Sequence, residues 1–253
     1  MAEQYKFLSL QGRSQIALNV ASGVRVLREL GNQTSVKLAI KADTYSKNET
    51  KTGQRQKVGE WTKTRSVDMT LTLDEQKPED IALAFQADYQ DIASSSIQDA
   101  DLGSDLKVGD VIKLDGFNLT NVMLSDSTSG TPVQLVEGTH YKLEADFGKI
   151  TILSLDGLTQ PLLADFTTGD VKASTLFTLP DTNEYYYLFE GIDTISDEKL
   201  ALELWRLKPT VDSEMDFINE ETGEITIKGS ALADTTKQED SQLGGFGRIV
   251  YLG

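Results

Sequence analysis

The 253-residue sequence contains no cysteine, which excludes disulfide bonds, thiolate metal sites and a cysteine nucleophile. A chain without disulfides is compatible with a reducing compartment. The only histidine, His140, stands in EGTHYKL, and the chain has no G-x-S-x-G motif. A Ser–His–Asp triad or a histidine metal cluster therefore has little support. We expect no catalytic residues, no metal and no other cofactor.

Long hydrophobic runs are also missing. No apolar stretch approaches the roughly 20 residues that cross a bilayer. The N-terminal MAEQYKFLSLQGR lacks the basic flank and apolar core of a signal peptide. We therefore expect synthesis in a cytoplasm and no membrane partner.

Basic residues are few, with 24 Lys and Arg against 40 Asp and Glu and a net charge of −16. Residues 1–73 carry +6, whereas residues 74–253 carry −22. An acidic surface keeps a protein soluble and repels nucleic acid over most of its area. A second interpretation is that the basic and acidic portions attract each other between copies of the chain.

The remaining signal is strand-like alternation, clearest in SVDMTLTLDEQKPEDIALAFQ at residues 66–86. Its period changes after Pro78, where Ile81 and Phe85 share one helical face. Pro78 suits the first helical position, and Glu79 follows in the first turn, where negative charge complements the helix dipole. The stretch predicts a strand that leads into a short helix. The apolar members of the strand are Val67, Met69, Leu71 and Leu73, and the polar members are Ser66, Asp68, Thr70 and Thr72.

Many other short runs, separated by turn signals such as Asp115–Gly116, predict a mainly β fold. We expect an all-β sandwich or barrel, with the short helix from Pro78 packed on a sheet. Residues 88–105 are predicted to be a loop or linker, and a helical turn is considered at 94–99 or 159–165. The predicted strands are a hairpin at 6–18 turning near Gln11–Gly12, then 24–41 with a turn at Gly31–Asn32, 111–114, 133–136, 141–143, 150–153, 171–179, 185–190, 199–207, 224–229 and 246–252.

Residues 42–64 are predicted to be a long polar loop between two strands, and such loops are usually either functional or disordered. Trp61 lies in this segment and either buries in a partner or folds back on its own sheet. Five basic residues accompany it: Lys47, Lys51, Arg55, Lys57 and Lys63.

Three further features have mainly structural interpretations. The acidic run from Asp99 to Asp105 is predicted to be a solvated loop, because it lacks the spacing of a calcium loop. Gly244–Gly247 is predicted to lead into the last strand, since no helix follows as a phosphate loop requires. Trp205 lies among alternating apolar residues and is predicted to be in a core or an interface.

The order of several segments resembles the major tail tube proteins of long-tailed siphophages. The segments are FLSLQGR, LRELGNQTSVKLAIKADTYSKNETKTG, TRSVDMTLTLDEQKPEDIALAFQ, HYKLEADFGKITIL, YYYLFEGID, LALELWRLKPTVDSEMDFI and GEITIKGSALAD. The resemblance covers nearly the whole chain and matches least at 88–132. It implies a β-sandwich or half-barrel tail-tube fold with one short flanking α-helix and a long β-hairpin loop. The fold would form one tail-tube domain at 1–253, with 88–132 as an insertion or elaboration.

The resemblance also implies a structural virion protein, made in the host bacterial cytoplasm and without enzymatic activity. Such subunits form hexameric rings that stack into a tube around the tape-measure protein and conduct the genome. Tail tip and terminator proteins would be further partners, and DNA would pass without specific binding. The polar loop would reach a neighbouring subunit or a neighbouring ring. Ser66, Asp68, Thr70 and Thr72 would face the lumen.

Alternatives from other classes stay open at this point. A β-sandwich module could bind a carbohydrate or a receptor on a phage tail. A glycosidase could use a pair of carboxylates, although 40 acidic residues guarantee chance pairs. A tube subunit of a contractile tail or of a phage-derived particle would share the same fold.

Overall fold

The computed structural model describes residues 8–20, 24–180, 182–210, 212–220 and 222–252. The protein is mainly β, as the alternating patterns predict, with 49% strand and 4% helix. Neighbouring strands of the main sheets pair antiparallel. In chain order the elements are β1 (Leu10–Leu18), β2 (Arg28–Glu29), β3 (Gln33–Asn48), β4 (Lys57–Leu73), α1 (Pro78–Ala84), β5 (Asp88–Ile92), β6 (Ser96–Asp101), β7 (Val111–Lys113), β8 (Thr120–Ser125), β9 (Tyr141–Glu144), a 3-10 helix (Ala145–Phe147), β10 (Lys149–Ile152), β11 (Leu163–Thr167), β12 (Val171–Thr175), β13 (Tyr185–Asp193), β14 (Lys199–Pro209), β15 (Ile225–Ala231) and β16 (Gly247–Tyr251).

The chain divides into two compact units. The first unit comprises Met1–Tyr89 and Ser174–Gly253, and the second comprises Gln90–Ala173. The elaboration of a single domain was expected at residues 88–132, whereas the second unit comprises Gln90–Ala173.

The first unit contains one sheet with the order β2-β1-β13-β14-β15-β4-β3. One edge of β14 pairs with two different strands along its length. Leu200–Leu204 pair with β16, and Leu207–Pro209 pair with β15. The sheet thereby has two halves whose apolar faces share one core, which includes Met69, Tyr187 and Ile225.

Both elements of the 66–86 stretch are confirmed. The apolar members of the alternation are buried along β4, and its polar members are half-buried on the opposite face. Helix α1 begins at Pro78, as predicted, and buries Leu83 and Ala84. Asp80 on α1 is also fully buried. Its carboxylate is satisfied there by hydrogen bonds from the Gly31 N–H at 2.8 Å and from the Arg28 guanidinium.

The second unit has its own core between two three-stranded sheets, β7-β10-β9 and β6-β11-β8. Its buried polar group is Asp126, whose carboxylate accepts the amides of Val133 at 2.6 Å and Thr159 at 3.0 Å. The Thr128 hydroxyl donates to the same carboxylate at 2.5 Å. Led by the Thr128 hydroxyl, these donors hold the pKa of Asp126 well below its usual range.

Several sequence-based expectations are wrong. The hairpin expected at 6–18 is a single strand from Leu10, paired with β13; residues 6 and 7 lie outside the described residues. The segment 88–105 contains β5 and β6 instead of a loop, and 159–165 enters β11 instead of a helix. Residues 133–136 contribute only an isolated bridge at Gln134. The segments concerned are short or polar. Whether such a segment forms a strand depends more on pairing with a neighbouring strand than on its own apolar alternation.

Candidate functional site

The segment expected to be a long loop is mostly strand, which corrects the prediction for 42–64. β3 continues to Asn48 and β4 begins at Lys57, so only residues 49–56 connect them. We call residues 39–65 the arm. Nearly every residue of the arm is exposed, whereas Val67 next to it is buried. Because both faces of the arm are exposed to solvent, its sequence shows no apolar alternation. The alternating pattern therefore did not predict its strands.

Backbone pairing and local polar contacts hold the arm together. The register shifts between Asp43 and Thr44, which leaves Lys63 as an extra residue on β4. Thr44 donates to Glu60 at 3.0 Å, and Thr64 donates to Asp43 at 3.1 Å. Exposed contacts of this kind add little stability. The arm is therefore held mainly by the backbone hydrogen bonds between β3 and β4, which continue into the rest of the first unit.

The end of the arm is a tight turn organised by Glu49. Its carboxylate accepts the amides of Lys51 at 2.9 Å and Thr52 at 3.0 Å, and also the Thr52 hydroxyl. Led by the Thr52 hydroxyl, these donors lower the pKa of Glu49. Gly53 has a φ of 79° in this turn, which glycine adopts without strain.

Trp61 meets its own hairpin and still faces solvent. Its ring stacks on Tyr45 across the ladder at 6.2 Å between centroids, and it covers Gly59, where a Cβ would overlap the indole. Trp61 is nevertheless 56% exposed and Tyr45 60% exposed. The pair forms an apolar spot on an otherwise polar arm.

The five predicted basic residues all lie on the arm and are exposed. Lys57 is paired with Glu60 at 2.7 Å. Within the described part of the chain, the other four form no ion pair. The arm therefore presents positive charge toward solvent, carried by Lys47, Lys51, Arg55 and Lys63.

The predicted lumen residues of β4 share one face with polar residues of β3 and β15. Asp68 stands opposite Ser230 and accepts its hydroxyl at 2.6 Å, and Lys41 contacts the same carboxylate at 3.0 Å. The Ser230 hydroxyl first, and then Lys41, lower the pKa of Asp68. Thr70 stands opposite Lys228, which pairs with Asp212 at 2.6 Å. Lys37 of β3 also stands opposite Thr70 on this face; it is exposed and forms no ion pair among the described residues.

One edge of the first unit's sheet is open. β3 pairs with β4 on one side, and among the described residues no strand pairs with its other side. Next to this edge lies an apolar groove of about 810 Å³. Its lining includes Val36, Leu38, Phe189, Leu200 and Ile249.

Sequence reasoning missed a second exposed feature, the loop between β14 and β15. Phe217 is 85% exposed and Ile218 is 96% exposed there. An apolar pair inside an acidic run was visible as MDFINEETGE, but the run was assigned to the closing strands. Alternation could not reveal its exposure because the residues belong to no strand.

The remaining candidates have structural roles. His140 accepts the Val136 amide on Nδ1 at 2.9 Å in a turn of the second unit. Trp205 is buried, as predicted, and donates from Nε1 to the Gly244 carbonyl at 2.9 Å. Asp101 accepts the Gly103 amide at 2.8 Å within the acidic run.

The described ranges contain neither a cluster of metal ligands nor a membrane-spanning helix. No group of three or more His, Asp or Glu side chains there is arranged to hold a metal ion. No helix in those ranges has the length and apolar character needed to cross a bilayer.

Comparison with known proteins assigns the chain to a protein family. No curated protein matches the chain. A family model described as protein of unknown function UCP028589 matches residues 7–250, which span both units. The chain belongs to this family of unknown function.

Proposed function

We propose that this chain is a structural subunit that assembles with copies of itself into hexameric rings, stacked into a tube of the phage tail type. The arm carries the proposal, because it exposes both faces and buries no core of its own. An isolated two-stranded hairpin is marginally stable in water. A partner surface would therefore explain why the chain extends β3 and β4 so far beyond the body.

The open edge of β3 supports the same proposal. A long unpaired edge is a template for pairing with another chain, and closure into a barrel removes such edges. The edge runs over 16 residues, Gln33–Asn48. A neighbouring subunit that pairs there would continue the sheet and cover the apolar groove beside it.

The polar face of β4 suits the inner wall of such a tube. Ser66, Thr70 and Thr72 offer short hydroxyl groups, and the charge of Asp68 is balanced by Lys41. Lys41 and Lys228 on this face are ion-paired, which weakens their attraction for phosphates, whereas Lys37 opposite Thr70 forms no ion pair among the described residues. The tube would enclose the tape-measure protein and then conduct the genome to the host cell.

Electron microscopy of the purified protein tests the proposal. We expect rings with six-fold symmetry and a central pore, or tubes made of such rings, at high protein concentration. Sedimentation velocity should show the same species in solution. A protein that stays monomeric at every concentration, and is absent from virions, would refute the proposed function.

A further inference from the structure

The loop from Asp212 to Glu224 concentrates acidic charge around an apolar tip, and we call it the acidic loop. It has six Asp and Glu and no Lys or Arg. Asp212 is paired with Lys228, and Glu224 accepts the Thr34 hydroxyl at 3.2 Å. Within the described residues, Glu214, Asp216 and Glu220 are exposed and form no ion pair. They flank Phe217 and Ile218 in the sequence.

The described part of the acidic loop is tied to the first unit at its base. Met215 bridges to Ile225 and packs against the core. Gln76 donates to the Gly223 carbonyl at 2.7 Å. The side-chain amide of Asn219 is oriented so that its nitrogen donates to the carbonyls of Asp216 and Ile218 at 3.0 Å each. These contacts hold the described part of the loop in place, and Phe217 and Ile218 are exposed at its tip.

The acidic loop and the end of the arm lie at opposite ends of the same two strands. Ile225, directly after the loop, pairs with Leu73, and Gln33 at the start of β3 pairs with Leu73 as well. The arm turns at the other end, after Asn48. A strand of this length spans roughly 50 Å at about 3.3 Å per residue. One molecule therefore cannot bring its own loop to its own arm turn.

We propose that the acidic loop receives the arm of a second copy of this chain, in a head-to-tail contact. The inference rests on the proposed self-assembly and names the surface that carries it. Lys47, Lys51, Arg55 and Lys63 would face Glu214, Asp216 and Glu220 of the other copy. Phe217 and Ile218 would pack against the exposed pair of Tyr45 and Trp61.

A contact of this type is heterologous, since it joins two different surfaces. Each added copy leaves one free arm and one free acidic loop, so the contact repeats along an assembly. Opposite charges on the two surfaces also speed encounter and fix the register. The split of charge between residues 1–73 and the rest of the chain fits this arrangement.

A charge-swap experiment tests the contact. The arm variant carries Lys47→Glu and Arg55→Glu, and the loop variant carries Asp216→Lys and Glu220→Lys. Each alone should raise the concentration needed for assembly at least about tenfold, because reversed charges face like charges. An equimolar mixture of the two should assemble again, because the reversed arm meets the reversed loop and the native arm meets the native loop.

The matched control reverses two exposed acidic residues of the second unit, Glu137→Lys and Asp156→Lys. It should assemble as the native chain does, and circular dichroism should show that all variants are folded. A loop variant that assembles like the native chain would overturn the inference while leaving the proposed function intact. Failure of the mixture to assemble would overturn it as well. Failure of the native chain to assemble would reject both.

Discussion

Gly31 shows how one residue joins separate parts of the first unit. A Cβ at this position would overlap the Glu75 carbonyl oxygen, so the close approach requires glycine. Its N–H donates to the buried Asp80, and the next amide, of Asn32, donates to the Glu75 carboxylate at 2.9 Å. The sequence predicted a turn at Gly31–Asn32. The structure shows that the turn also holds the start of β3 against the start of α1.

We expect Asp80→Ala to destabilise the first unit by about 2–4 kcal/mol, because it leaves the Gly31 N–H and the Arg28 guanidinium without their buried acceptor. Urea unfolding followed by circular dichroism measures the change. Glu79→Ala is the control, since Glu79 is exposed in the same helical turn and should cost less than about 1 kcal/mol. Equal midpoints for the two variants would show that the buried carboxylate does not hold the turn.

Trp61 illustrates a choice that the residue type alone left open. A tryptophan in a polar segment could bury in a partner or return to its own sheet. The structure shows it stacked on Tyr45 while more than half of its surface stays exposed. The stacking pre-positions the ring, and the exposed part is available to a partner.

The elements differ in how well the sequence predicted them. The strand that ends at Leu73 and the helix from Pro78 were predicted correctly, because burial on one face produces a clear period. The arm has the same strand geometry without that period. Its backbone is paired along β3 and β4, yet neither of its faces meets a core.

We expect Arg55→Glu together with Lys57→Glu to impair assembly and leave the fold intact. Both side chains are exposed on the arm, so the free energy of unfolding should change by less than about 0.5 kcal/mol. The concentration needed for assembly should rise about tenfold or more. Light scattering and sedimentation velocity measure assembly, and thermal unfolding measures the fold.

The matched control for the arm is Lys107→Glu together with Lys142→Glu, two exposed lysines of the second unit. It makes the same change in net charge and should leave assembly as it is. Normal tube formation by the arm variant would refute the docking role of the arm. Equal impairment by the control would mean that net charge, and no particular surface, governs assembly.

At the scale of the whole molecule, the chain passes between its two units twice. It passes outward through β5 and back through β12, and these strands pair with each other. Asp91 and Lys172 form an ion pair of 3.3 Å on this ribbon. Neighbouring strands lie about 5 Å apart, so the second unit is inserted at two nearby points of the first.

We expect each unit to fold without the other. A short Gly-Ser linker in place of Gln90–Ala173 should leave the first unit with a cooperative unfolding transition and the ability to assemble. The excised Gln90–Ala173 should unfold cooperatively as a monomer, because it has its own core around Ile150 and Leu162. Calorimetry and sedimentation velocity measure both. Loss of a transition in both fragments would mean that the units are one folding domain.

The mainly β class, the core-facing side of β4 and the start of α1 follow from the amino-acid pattern without any structure. Burial on one face imposes a period that can be read without a structure. Tertiary structure alone decided that residues 42–48 and 57–64 are strands, and that 90–173 form a separate unit. Backbone hydrogen bonds between distant segments determine these elements. Such bonds produce no hydrophobic period in the sequence when both faces of a strand are exposed to solvent. For the same reason, only the fold places the acidic loop and the arm turn at opposite ends of one pair of strands.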